Sequence, residues 1–237
     1  MIPQWQNGTV VRIEQETHNT RRYWIRLEDE TFPFKAGQFV TLDLPIHEQR
    51  NKRWRSYSIA SMPDGSNEIE LLISLVEDGA GSNYIFKEIQ EGSNFTLRGP
   101  QGVFVLPEHL DRDLYLICTG TGIAPFRSML HYIHKHQVPH EKLHLIFGCR
   151  TRHDLLYAHE MRELEKVIPG FQYHPTLSRE EWDGKQGYVH PIYEDLASER
   201  HPALFMLCGW RAMIDEAKER IVGMGYDKKD IHLELYG

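Results

Sequence analysis

Cysteine is scarce in this chain: three residues, Cys118, Cys149 and Cys208, are spread over 237 positions, and no two form a Cys-x-x-Cys pair. That set can build neither a disulfide framework nor a four-thiolate iron–sulfur cluster, so a redox cofactor, if there is one, is organic. Long apolar runs are missing too. No stretch approaches the ~20 apolar residues of a membrane span, and residues 1–11 lack the basic stretch and apolar run of a secretory leader. A cytoplasmic chain without a membrane span is expected. Nor is there an excess of positive charge. The formal net charge is −7, which argues against general affinity for nucleic acid, where Lys and Arg must neutralise phosphates. Internal repeats and low-complexity segments are absent.

What remains is an ordinary globular composition, 41% apolar and 26% charged, in a chain long enough for two small domains with real cores. Fourteen histidines are present. The densest group, His131, His134, His136, His140 and His144, lacks the compact ligand pattern that zinc sites show. It reads as a solvated helix face, and no metal is expected. One local basic run stands out: Arg50, Lys52, Arg53 and Arg55.

Residues 8–16, 20–27, 38–44, 57–60, 68–76 and 94–98 are short, rich in β-branched and aromatic residues and separated by Gly, Pro, Asn and Asp, which predicts six strands of a small antiparallel barrel. One helix is expected among them, over 82–91. After Pro107 and Asp111 the rhythm changes. Strands at 114–118, 143–147, 171–176, 203–208 and 232–235 alternate with helices at 124–135, 159–167, 190–196 and 212–224, the pattern of an open parallel sheet covered by helices. The expected architecture is therefore α+β with two domains: a six-stranded antiparallel β-barrel over 1–109 and an α/β parallel-sheet nucleotide-binding domain over 110–237.

Several segments carry chemistry. In Arg55-Ser56-Tyr57-Ser58 the guanidinium can fork onto a pyrophosphate, the phenol ring offers a flat amphipathic face, and Ser58 a small hydroxyl. Gly79-Ala80-Gly81-Ser82-Asn83 opens the barrel's helix, with Ser82 as a good N-cap and free N–H groups facing an anion. In the second half, Leu114–Cys118 runs into Thr119-Gly120-Thr121-Gly122-Ile123-Ala124-Pro125. A buried strand leading through glycines into a helix lets backbone approach a pyrophosphate. The third glycine of the dinucleotide fingerprint is replaced by Pro125, tolerated near a helix start. Arg150 follows the next strand. Ser178-Arg179-Glu180, with Tyr188 beyond, supplies a cation and a hydroxyl for a dianionic phosphate and a ring for stacking, and Lys185 could add charge.

In their order and spacing these segments resemble the ferredoxin–NADP reductase family over residues 8–237. Arg55-Ser56-Tyr57-Ser58 is similar to its flavin signature, Ala36-Gly37-Gln38 to a structural turn, Gly99-Pro100-Gln101-Gly102 to the turn before its linker, and Gly120-Thr121-Gly122-Ile123-Ala124-Pro125 to its nicotinamide-side loop. The resemblance implies bound FAD held by Arg55, Ser56, Tyr57, Ser58, the backbone of Ile73, Ser74 and Leu75, and the phosphate loop Gly81, Ser82 and Asn83. It implies a dinucleotide at Thr121, Gly122 and Arg150, with Ser178, Arg179 and Tyr188 favouring NADPH over NADH. Cys208-Gly209-Trp210 resembles the turn whose cysteine lies against the nicotinamide. Glu234 and Tyr236 resemble the family's carboxyl end, where the Tyr covers the flavin and yields to the nicotinamide, although Gly237 extends past the aromatic. Ser58, Cys208, Glu234 and Tyr236 are thus the implied reacting centre. The implied activity is hydride transfer between NADPH and FAD, with onward electron transfer to a ferredoxin or flavodoxin docking on Arg50, Lys52 and Arg53, helped by Arg21 and Arg22. A free-flavin reductase or oxygenase reductase component, and a nonenzymatic flavin-binding regulatory module, are the competing expectations. A monomer is expected.

Overall fold

The computed structural model describes residues 3–236. Met1, Ile2 and Gly237 lie outside them, so the expectation about the residue after Tyr236 has no structural counterpart. The chain divides into two compact units, Met1–Leu106 with Arg127–Tyr132, and Pro107–Phe126 with Ile133–Gly237.

In the first unit, β1 (Trp5–Thr17), β2 (Thr20–Leu27), β3 (Phe39–Asp43), β4 (Trp54–Ser58), β5 (Glu68–Ser74) and β6 (Asn94–Gln101) form an antiparallel sheet in the order β4-β3-β6-β1-β2-β5. An Ile59–Leu71 bridge and the Ala60 N–H to Glu70 C=O bond at 2.8 Å join its two edges. Breaks in the β1–β2 register at Val10/Arg12 and Gln15/Thr17 add the local bend that curling a sheet requires. Alternation places Val10, Tyr23, Ile25, Val40, Leu42, Ile69, Leu71, Phe95 and Leu97 inside, where α1 (Ala80–Glu88) adds Ile85. Each such fully buried aliphatic side chain contributes about 1.5–3 kcal/mol. A charged network is buried in the same unit. Glu70, 2% exposed, accepts from Arg22 Nε at 2.7 Å and from an Arg127 terminal nitrogen at 3.0 Å, and that nitrogen also donates to Ala60 C=O at 2.8 Å.

The second unit is built on parallel strands: β7 (Asp113–Thr119), β8 (Leu143–Cys149), β9 (Phe171–Leu177), β10 (Lys185–Gln186), β11 (Ala203–Trp210) and β12 (Ile231–Tyr236), in the order β10-β9-β8-β7-β11-β12. β7, β8 and β11 are almost continuously buried, as expected of parallel strands covered on both faces. The helices are α2 (Ile123–His136), α3 (Ala158–Val167), α4 (His190–Leu196) and α5 (Arg211–Gly223). The chain runs outward from β7 through β8, β9 and β10, then returns to the other side of β7 for β11 and β12. The carboxyl ends of β7 and β11 therefore flank the point where strand order reverses, the place where open α/β sheets bind ligands.

Two expectations need correction. His144 is not on a solvated helix face but in β8, 4% exposed, stacked on Tyr115 at 4.8 Å and next to His174 at 5.6 Å. The barrel helix starts at Ala80, with Gly79 and not Ser82 in the N-cap position. Ser82 Oγ instead accepts the Val76 N–H at 3.0 Å, folding the preceding loop back onto the first turn.

Candidate active site

In the first unit, β4 carries Arg55, Ser56, Tyr57 and Ser58 beside the start of α1. The Arg55 side chain lies along Gly81: a Cβ there would stand 3.0 Å from Arg55 Cγ and 3.2 Å from Nε. A side chain at 81 would push the guanidinium aside. An Arg55 terminal nitrogen donates to the carbonyls of Lys52 and Trp54 at 3.1 and 2.8 Å, and no carboxylate among the described residues pairs with it. No side chain caps α1, so its first N–H groups and an un-neutralised guanidinium are available to an anion. This arrangement fits a pyrophosphate. Tyr57 is partly buried, and its phenol is pushed up to about 12, chiefly by burial and against the opposing pull of Arg55. Ser56 is exposed and pairs with Thr41 Oγ1 at 3.1 Å, while Ser58 is buried. Ile73 is buried; Ser74 Oγ meets Thr20 Oγ1 at 2.6 Å; Leu75 is an exposed apolar residue whose N–H bonds Asn19 C=O. Asn83 Nδ2 donates to the carbonyls of Val76, Glu77 and Gly79 and so fixes the loop.

In the second unit, the turn after β7 presses on the end of β11. A Cβ on Gly122 would come within 2.4 Å of Cys208 O, and one on Gly209, at φ +147°, within 2.4 Å of Thr119 Oγ1. Only glycine permits this approach of two backbones. Thr119 Oγ1 is buried without a hydrogen-bond partner among the described residues. β12 then brings Glu234 opposite Cys208 and Tyr236 opposite Trp210. The polarity of this strand is inverted: Leu233 and Leu235 are exposed while Glu234 and Tyr236 are partly buried. Cys208 is fully buried, and its thiol is pushed well up by burial first and then by the negative charge of Glu234 and by Cys118, with Tyr236 in hydrogen-bonding reach acting the other way.

The ends of β8 and β9 gather a third group. Ser178 N–H and Oγ both donate to Cys149 C=O, at 3.0 and 3.2 Å, and Arg179 N–H donates to Arg150 C=O at 2.9 Å. Arg150 and Arg179 thus leave the sheet at adjacent points, both exposed and, among the described residues, without an ion-pair partner. Tyr188 is 73% exposed, a bare ring near this end, and Lys185 is exposed on β10.

Both parts of the chain match known proteins. The oxidoreductase FAD-binding domain model matches residues 7–106, and the oxidoreductase NAD-binding domain model matches 116–219. A ferredoxin–NADP reductase B from Sorangium cellulosum is 35% identical over 222 residues, covering 89% of this chain and 88% of that protein. The chain belongs to the ferredoxin–NADP reductase family. Within that family it also resembles the electron transfer component of an anthranilate 1,2-dioxygenase from Acinetobacter baylyi, 34% identical over 78% of this chain but only 53% of that component. Among solved structures, an Amycolatopsis cytochrome P450 reductase superposes with a TM-score of 0.89 at 26% identity, over 98% of this chain and 70% of that one. The protein is thus an oxidoreductase with FAD-binding and NAD(P)-binding domains, and no helix among the described residues is long and apolar enough to cross a membrane.

The basic run is less available than the sequence suggests. Arg53 Nε lies 2.8 Å from the Asp43 carboxylate and also bonds Leu44 C=O, and Arg22 is committed to Glu70. Arg21 lies over Phe86. Arg50, 63% exposed, has its Nε 3.6 Å from the same Asp43 carboxylate, and Lys52 is exposed. Arg152 was not singled out in the sequence. Arg152 lies in Thr151-x-x-Asp154, a capping box that could have been read locally, but its partner Glu180 is 28 residues away.

Proposed function

We propose that the protein oxidises NADPH by hydride transfer to a bound FAD and passes the electrons to a ferredoxin or flavodoxin. When bound, the flavin supplies the step from a two-electron donor to one-electron carriers. The residues do the rest. Residues 1–109 form the FAD domain, with Arg55, Gly81, Ser82 and Asn83 holding the pyrophosphate, Ser56 and Tyr57 lining the cofactor, and the backbone of Ile73, Ser74 and Leu75 bordering it. Ser58 offers its hydroxyl to the ring. Residues 110–237 form the dinucleotide domain: Thr121 and Gly122 at the pyrophosphate, Arg150, Ser178 and Arg179 at the 2′-phosphate, and Tyr188 against the adenine.

The observation that carries this proposal is the inverted last strand. An ordinary edge strand would bury Leu233 and Leu235; this one exposes them and turns Glu234 and Tyr236 inward, with Tyr236 in reach of Cys208. Burial keeps the Cys208 thiol protonated, so it serves as a compact, uncharged wall for a nicotinamide and not as a nucleophile. Tyr236 covers that wall until a nicotinamide displaces it, and Glu234 accepts or relays a proton beside it. These roles cost little until hydride moves, when orientation matters most.

Similarity to dioxygenase and cytochrome P450 reductase components favours a second possibility for the acceptor, an oxygenase partner. The deciding experiment is anaerobic stopped-flow mixing of the FAD-loaded protein with NADPH or NADH, then with ferredoxins, flavodoxins and oxygenase components. Bleaching of the flavin by NADPH in preference to NADH, followed by ferredoxin or flavodoxin reduction, is expected. A flavin that stays oxidised refutes the hydride step, and reduction of an oxygenase component alone moves the acceptor to the second possibility.

A further inference from the structure

Glu180 directly follows Ser178 and Arg179, and a free carboxylate there would repel the dianionic 2′-phosphate proposed above. It is not free. Its Oε2 accepts the Arg152 backbone N–H at 2.8 Å and its Oε1 accepts Arg152 Nε at 2.7 Å, while a terminal Arg152 nitrogen reaches Glu181 C=O at 3.3 Å. The turn that presents this N–H is itself fixed: Asp154 Oδ2 accepts from Thr151 N and Oγ1 at 2.9 and 2.8 Å. The clamp therefore joins the turn after β8 to the turn after β9, beside Arg150 and Arg179. Hydrogen bonds from Arg152, the backbone one foremost, hold the Glu180 carboxyl below its usual range, so it is charged throughout the neutral region and must be placed, not neutralised.

We propose that Arg152 is a specificity-determining positioning residue: by holding the Glu180 carboxylate on the turn after β8, it keeps an acid away from the ribose 2′ position and admits a phosphate there. This rests on the NADPH preference proposed above. Once released, Glu180 repels the phosphate of NADPH and can accept a hydrogen bond from the free 2′-hydroxyl of NADH, the role an acid takes in NAD-binding sheets. Arg150 and Arg179, lacking carboxylate partners among the described residues, then face a local acid they did not face before.

The test uses FAD-loaded wild type, Arg152→Ala, Glu180→Gln, Arg152→Ala/Glu180→Gln and Arg179→Ala, with ferricyanide as acceptor and steady-state constants for NADPH and NADH. Arg152→Ala is expected to raise KM for NADPH about tenfold, the scale of one unmasked charge acting through water on a nearby dianion, with kcat within about twofold and KM for NADH unchanged or lower. The double variant should restore KM for NADPH to within about twofold of wild type, and Glu180→Gln alone should leave it there. A double variant as poor as Arg152→Ala would reduce the effect to disturbed turn structure and overturn the proposal, as would an unchanged NADPH/NADH ratio in Arg152→Ala while Arg179→Ala loses its NADPH preference. If wild type favours NADH, or Arg179→Ala also leaves the ratio unchanged, the NADPH assignment has failed and the clamp proposal with it. Unaltered flavin spectra and melting temperatures identify the variants that fold.

Discussion

Replacing Gly122 by alanine tests whether the contact between the β7 turn and the end of β11 matters as the geometry says. Gly122 has φ −60° and ψ −9°, a conformation alanine adopts freely, so backbone strain contributes nothing and the effect is purely steric. The new Cβ would sit 2.4 Å from Cys208 O and 2.8 Å from Cys208 C. Ordinary contact begins near 3.4 Å, so one of the two backbones must retreat by about 1 Å. Cys208 is held in the ladder by Cys118 on one side and Glu234 on the other, which leaves little room for relaxation. Overpacking of this kind costs about 1–3 kcal/mol, or several degrees of melting temperature for a chain of this size. A displacement of that size beside the proposed nicotinamide wall should slow the proposed hydride transfer about 10²-fold. Anaerobic stopped-flow flavin reduction measures the rate, and thermal melting the stability. Gly223→Ala is the control. Nothing lies within 4 Å of its Cβ, and in the last turn of α5 it should stabilise by up to about 1 kcal/mol with no kinetic effect. A Gly122→Ala enzyme with wild-type melting and a hydride rate within threefold of wild type would refute the claimed contact.

Three further outcomes follow from buried groups. Arg127→Ala leaves Glu70 with Arg22 as its guanidinium partner in these bonds and deprives Ala60 C=O of its side-chain donor; urea denaturation should show a loss of about 3 kcal/mol, and a loss below 0.5 kcal/mol would mean the network is not worth counting. His174 is lowered to about 4, mainly by burial and then by His144; since the folded state disfavours the proton, stability is intact above the unfolded value near 6.5 and falls as pH drops towards 4. Discounted because His174 is only partly buried, that loss is about 1–2 kcal/mol, and His174→Phe should flatten the acid limb of a pH–stability curve. Cys118 and Cys208 are fully buried with thiols pushed up by burial, so iodoacetamide at pH 7 should leave both unlabelled in native protein by mass spectrometry, and labelling within minutes would show the site to be open.

Much of the fold was legible because its signals are local. The buried apolar runs of β7, β8 and β11 and the alternation of β2 stand in the sequence much as they stand in the sheets. Misplaced features are those settled by distant partners. Ser82 has the chemistry of an N-cap, but its hydroxyl was taken by Val76 N–H on the loop folding over it, and the cap position fell to Gly79. His144 shares a sequence cluster with helical histidines, yet the parallel pairing of β7 with β8 lays it against Tyr115. The two residues of β10 become a strand only by pairing with Thr176 and Leu177, which no periodicity over two residues can signal. β12 is the instructive case: simple alternation would turn its leucines inward, and the edge position beside Cys208 reverses them.

The same distinction separates a cofactor cradle from a docking surface. A pyrophosphate demands glycines, helix starts and a guanidinium at close sequence spacing, because backbone must approach the anion. A docking surface makes a different demand. It depends on the charge left over once folding has paired side chains, and complementary fields steer partners only where that charge is free. Of the five basic residues that suggested a docking patch, Arg22 is consumed by Glu70 and Arg53 by Asp43, and Arg21 is laid over Phe86. Lys52 is exposed, and Arg50, though exposed, shares the Asp43 carboxylate with Arg53 at 3.6 Å. A patch cut down in this way steers an acidic carrier more weakly than five free cations would. Charge reversal at Arg50 and Lys52 should therefore slow acceptor reduction severalfold and not by orders of magnitude, with ferricyanide reduction unchanged. The effect should fade with added salt. A loss of a hundredfold or more that persists at high salt would mean that the partner engages these residues by direct contact, and that the pairing of Arg22 and Arg53 gives way when it binds.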